Sequence, residues 1–295
     1  MNTQVRVFVQ TRGTARAADY AFLGGAPPEP WWRAYRDATA FDHPTLLVRS
    51  DGAAWAAYLS GIPSARVDAV GTVVRYTLVA EGPCGTADGT CVAAAAAAWL
   101  DDVADAAAGP PGGRLSGALD PRFPPADVQR WLGPDSSGRD TIAAEVHERT
   151  LAALATLPPP APVANADVAS DWIGAVTAPA ARAAFAARVA ALLAGARGRA
   201  LLLNLVGGPD DVAPLLEPTS PVAVLVESSD PQLAWPTALP SVVEAKKEPN
   251  PPSRVAAATG AAAAAGVAAA PLMLATVVLV LLVAAVLVTV LVLVS

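Results

Sequence analysis

Residues 46–59 read LLVRSDGAAWAAYL. Two apolar runs flank Ser50-Asp51-Gly52, and an Asp-Gly pair supplies the positive φ angles of a tight turn, so the stretch predicts a β-hairpin. Upstream, Val5, Val7 and Val9 alternate with Arg6 and Phe8, the period of a half-buried strand. Downstream, residues 70–80 read VGTVVRYTLVA. Val70, Thr72, Val74, Tyr76 and Leu78 share one face; Val73, Arg75, Thr77 and Val79 share the other. These segments predict a mainly antiparallel sheet of about four strands over the first third of the chain.

The middle changes period. Residues 91–108 (CVAAAAAAWLDDVADAAA) predict a helix stopped by Gly109-Pro110-Pro111, with Val92, Trp99 and Val103 inward and Asp101, Asp102 and Asp105 solvated. A second helix is expected over 141–157, with Ile142, Val146, Leu154 and Leu157 near one stripe. A third is expected over 178–194, with Phe185, Val189, Leu192 and Leu193 inward, Arg182 and Arg188 outward, and Gly195 as its C-terminal cap. Residues 200–206 and 222–226 are continuous apolar runs, as in strands covered on both faces, and 210–216 between them would complete a β-α-β unit. The expected fold class is α+β, with α/β as the alternative. The strand-rich part spans 1–108 and the helical and β-α-β part 126–240 of the same body. The glycine- and proline-rich loop 109–125 is a candidate divider.

The end of the chain has a different character. Hydrophobic residues make up 54% of the 295 and charged residues 16%, against roughly 25% in ordinary globular chains. Every Asp, Glu, Lys and Arg lies at or before Arg254. Residues 271–294 read PLMLATVVLVLLVAAVLVTVLVLV, the length of a transmembrane helix, and hydrocarbon forces helix on any backbone that cannot bond to water. The N-terminus, MNTQVRVFVQTR, lacks the apolar core of a signal peptide. Lys246, Lys247 and Arg254 precede the run and nothing basic follows, which predicts the body on the cytoplasmic side of the lipid bilayer of a bacterial plasma membrane. With Ser295 last, the arrangement expected is a tail-anchored single pass. The prolines of the 241–270 linker favour an extended spacer. Its alanine-rich stretch 256–270 reads either as small-residue packing for a homo-oligomer or as low-complexity filler.

The acidic balance, a net charge of −6, argues against nucleic-acid binding, which needs a basic face. Cys84 and Cys91 are not a disulfide framework, and reduced thiols are expected. With His43 and His147 they match a zinc site in number, but their spacing fits none of the usual ligand patterns. No phosphate loop, dinucleotide fingerprint or G-x-S-x-G elbow is present, and His147-Glu148 lacks the second histidine of H-E-x-x-H because position 151 is Leu. His147 therefore reads as a surface residue of its helix. Neither a cofactor nor a metal is expected. The weak catalytic candidates are His43, in an extended turn before Pro44, and Asp42, which could orient it; no nucleophile accompanies them.

Polar and aromatic residues concentrate instead around the sheet: Arg12, Arg16, Asp19 and Tyr20 after the first strand, Trp31, Trp32 and Arg33 after a proline-rich turn, and Arg66 and Asp68 between two strands. Arginine with Trp and Tyr in loops is the composition of binding hot spots. The alternative is that the tryptophans cap the core and the Arg–Asp pairs are structural. The function expected is a membrane-held module binding a protein partner or small signal. A membrane-attached hydrolase and a membrane-disrupting effector with an oligomerising tail are the alternatives.

Overall fold

A computed structural model describes residues 4–14, 19–40, 43–105, 113–133, 138–160, 170–215 and 220–239. These belong to one unit, Met1–Glu248. The apolar run 271–294 and the linker 241–270 lie outside the described residues. Among those described, no helix is long and apolar enough to cross a membrane.

The fold is a mixed α/β domain with one large sheet and, among the described residues, six α-helices. Its strands are β1 (Arg6–Thr11), β2 (Ala21–Phe22), β3 (Thr45–Asp51), β4 (Ala54–Val67), β5 (Val73–Pro83), β6 (Trp172–Ala175), β7 (Arg197–Leu203), β8 (Val222–Val226) and β9 (Thr237–Ala238). They lie in the order β2-β1-β5-β4-β3-β7-β8-β6-β9. The first five pair antiparallel; β1, β3, β4 and β5 are the strands the sequence predicts, and the two-residue β2 is one it does not. β7 and β6 both run parallel to β8, and this part is the β-α-β close, with the short α6 (Pro209–Val212) between β7 and β8. The halves meet where β7 pairs antiparallel with β3, Leu46 against Leu202 and Asp51 against Arg197. A pairing across about 150 residues of chain has no local signature, since the apolar run of β7 would suit any buried neighbour.

The helices are α1 (Ala87–Asp105), α2 (Arg114–Leu119), α3 (Pro125–Trp131), α4 (Arg139–Leu154), α5 (Pro179–Ala194) and α6. α1 packs on α5, α2 and α4, and α5 lies over β7, β8 and β3. The alanine run of α1 has a packing reason, because Ala93 to Ala96 are all buried and their small side chains let the helix sit close to its neighbours. Gly195 does cap α5, at φ 125°.

Two expectations are corrected. Arg188, placed outward on α5, is among the most buried side chains, because α5 is covered by both α1 and the sheet and its inner stripe is wide. Asp102 is not a solvated residue of α1. Its carboxylate accepts from the amides of Arg114 (2.7 Å) and Leu115 (2.9 Å) and so caps α2, which starts at a glycine without a capping side chain. Burial pushes the Asp102 carboxyl up from its ordinary range, against the pull of the two amides. His147 lies partly exposed on α4. The described part of the 109–125 loop is α2 and a 3-10 turn, Asp120–Arg122, and it is an attachment to the sheet.

Candidate functional site

The attachment is a polar network at the far end of β4. Asp120 accepts from the Ser64 hydroxyl (2.6 Å), the Ala65 amide (2.8 Å) and the Tyr76 hydroxyl (3.0 Å). Arg66 lies over the Tyr76 ring at 4.9 Å and donates to Ser64 Oγ (3.0 Å), Thr11 Oγ1 (2.8 Å) and the Arg12 carbonyl (3.2 Å). Burial raises the Tyr76 phenol well above its ordinary value. Buried polar groups satisfied this fully specify a packing arrangement. Arg66 is thus structural.

Next to it lies an open groove of about 680 Å³ lined by Gln10, Arg12, Asp19, Tyr20, Thr72, Val73 and Arg75. Arg12 pairs with Asp68 and rests over the Tyr20 ring at 5.5 Å. The Asp68 carboxylate also accepts from the amides of Val70 and Thr72, closing the β4–β5 turn. The structure therefore gathers Arg12, Asp19, Tyr20, Arg66 and Asp68 at one end of the sheet, linked by the Arg12–Asp68 pair, by Arg12 over the Tyr20 ring and by Arg66 donating to the Arg12 carbonyl. Arg16 lies outside the described residues.

Trp31, Trp32 and Arg33 stand apart, on a 3-10 turn, Trp31–Tyr35. Trp32 stacks on Tyr58, ring centroids 5.2 Å apart, and burial pushes the Tyr58 phenol up. Trp31 is buried, edge-on to both Trp32 and Tyr35.

Beside this turn the sheet face opens into a cleft of about 670 Å³. Register builds it. Arg6 pairs with Glu81, Glu81 with Ala56, Ala56 with Arg49, and Arg49 with Arg199, so five strands place these side chains in one cross-strand row. Ala56 is small and leaves the floor open, and Ala54 does the same at the rim. Arg49 lies over the Trp31 ring at 4.9 Å and reaches Glu29 at 3.5 Å. Arg199 is buried and donates to the Tyr35 hydroxyl at 3.4 Å. Arg6 pairs with Glu81. Asp51 at the rim accepts from the amides of Ala53 and Ala54, both at 2.8 Å, which hold its carboxyl below its ordinary value. A chain of net charge −6 thus collects three arginines among the described residues of one cleft, and the two carboxylates among them, Asp51 and Glu81, are engaged by amides and by Arg6.

No family model, curated protein or solved structure matches this chain.

Among the described residues the cleft's lining holds neither histidine nor cysteine, and it presents arginines and aromatic rings. His43 is exposed on the segment entering β3, and Asp42 lies outside the described residues. Cys84 and Cys91 are free thiols, and among the described residues no three His, Cys, Asp or Glu side chains group as a metal site requires. Of the cleft, sequence reasoning found Trp31. It missed Arg6, Arg49, Arg199 and Glu81, whose one signal is a charge at an alternating position of an otherwise apolar strand.

Proposed function

We propose that the protein is a single-pass membrane protein, held through residues 271–294, whose cytoplasmic α/β domain binds a small signal molecule in the sheet-face cleft. The observation that carries the reading is the cross-strand row of Arg6, Glu81, Ala56, Arg49 and Arg199 beside the Trp31 turn. A volume near 670 Å³ suits a small organic molecule, because such sites span roughly 300–1,000 Å³. The anchor rests on the length and uniform apolarity of 271–294.

Both halves are open to test on the full chain. In cells the wild type stays with the membrane pellet after alkaline carbonate washing, and Leu282→Arg weakens that retention; a wild type that washes out overturns the anchor. For the cleft, native mass spectrometry of detergent-purified protein is expected to show a co-purified small molecule. Ala56→Trp fills the floor and removes it, with an unchanged circular dichroism spectrum. Ala54→Trp, at an exposed rim position, repeats the measurement should the first variant misfold. Wild type and a folded filled-cleft variant carrying the same bound mass would sink the cleft reading.

A further inference from the structure

We infer that Arg49 and Arg199 form a clamp for a dianionic phosphate group, so that the ligand of the cleft is a phosphate monoester. The inference rests on the reading of the cleft as a ligand site and names the chemistry that site selects. The two residues are direct partners across the antiparallel β3–β7 pair, on the face that carries the Trp31 turn. Side chains so placed start about 5 Å apart. A doubly charged oxyanion between two planar guanidinium forks gains charge-assisted, bidentate attraction from both.

The surroundings orient the pair. The Trp31 ring supports Arg49 from below, and the Tyr35 hydroxyl holds Arg199 from the side. Arg6, three strands away in the same row, engages Glu81, which lies between it and the pair. This pairing keeps the Glu81 carboxylate from opposing an incoming anion.

Glu29 supplies the sharpest readout. Its carboxylate stands 3.5 Å from Arg49, long for an ion pair, and its side chain is 71% exposed. It occupies the approach to Arg49 as a weak internal competitor for the ligand's oxyanion. Removing its charge should therefore tighten phosphate binding, an effect that a purely structural Arg49 would not produce.

The test is calorimetric titration of the full chain in detergent micelles, at constant ionic strength and near-neutral pH, with inorganic phosphate and with phenyl phosphate. Saturable binding is expected. Arg49→Gln should weaken it about tenfold or more, as the loss of a charge-assisted contact does. Glu29→Gln should tighten it severalfold. Arg36→Gln, which removes the same charge at a position 80% exposed on the turn, should leave it unchanged. Arg199→Gln is confirmatory, since burial puts its folding at risk. Tighter binding of phenyl phosphate assigns the site to an organic ester, and equal affinity assigns it to free phosphate. Non-saturable heats, or equal affinity in wild type and Arg49→Gln, overturn the clamp. If the clamp fails while Ala56→Trp still sheds a co-purified molecule, the cleft stands as a site for another chemistry; if both fail, both readings fall.

Discussion

Asp120 holds three donors from two strands with one carboxylate, and its loss leaves Ser64, Tyr76 and the Ala65 amide without their acceptor. Asp120→Ala should cost about 2–3 kcal/mol in denaturant unfolding, the scale of two buried hydroxyls left without their acceptor, and Asp120→Asn less, because an acceptor oxygen remains. Asp51 makes a different case, since its carboxyl is held below its ordinary value of 3.8 by the Ala54 and Ala53 amides. A depressed carboxyl contributes stability that is fully present above the unfolded value and lost as pH falls through the lower folded one. The melting-temperature gap between wild type and Asp51→Ala should accordingly be open at neutral pH and close in acid below 3.8. A gap that persists unchanged would place the effect in the turn backbone rather than in the charge. At this scale the sequence is legible where one neighbour decides the role, as with the Asp51-Gly52 turn. It misleads where a distant element decides: Arg188 looks solvent-facing on its own helix, and Asp102 shows its role only beside the start of α2.

The strands β1 and β5 were readable from alternation, β3 and β4 from the apolar runs around an Asp-Gly turn, β7 and β8 from continuous apolar runs, and the three long helices from their period and their Gly or Pro stops. β6 was not, because Trp172-Ile173-Gly174-Ala175 is short, has no alternation, and is a strand only through its parallel pairing with β8. Strand β4 also carries a break that periodicity does not announce. Its pairing with β5 shifts register between Leu59 and Ile62, around Gly61. That glycine sits at φ 77°, and a Cβ there would meet the His43 carbonyl oxygen at 2.6 Å. Arg75 Nη1 donates to the Gly61 carbonyl at 2.9 Å and steadies the bulge. Both the left-handed backbone and the backbone clash oppose a side chain, so Gly61→Ala should destabilise by about 2 kcal/mol or more. Chemical denaturation would show it as a lower midpoint. A neutral result would mean that the segment entering β3 can move aside. The cleft's arginines belong to this scale too: Arg49 and Arg199 are 150 positions apart and become neighbours only once the β3–β7 register exists.

For the molecule as a whole, the β3–β7 ladder joins the strand-rich and β-α-β parts into one sheet, and Asp120 ties the layer above it to β4 and β5. The two parts should unfold together. Tryptophan fluorescence and far-ultraviolet circular dichroism are expected to give coincident denaturation curves, because Trp31, Trp55, Trp99, Trp131 and Trp172 are spread across both parts. Two separated transitions would show that the ladder is a weak seam. Sequence reading expected an antiparallel sheet followed by a β-α-β close but not the seam, which depends on which edge the β-α-β unit meets. That seam also bears on biogenesis. As the polypeptide leaves the ribosome, the first meander emerges with the outer rim of β3 uncovered, presenting Leu46, Leu47 and Val48 in a row of unsatisfied amides and carbonyls until β7 is synthesised. For that interval the nascent chain carries a sticky border, open to pairing with another unfinished copy.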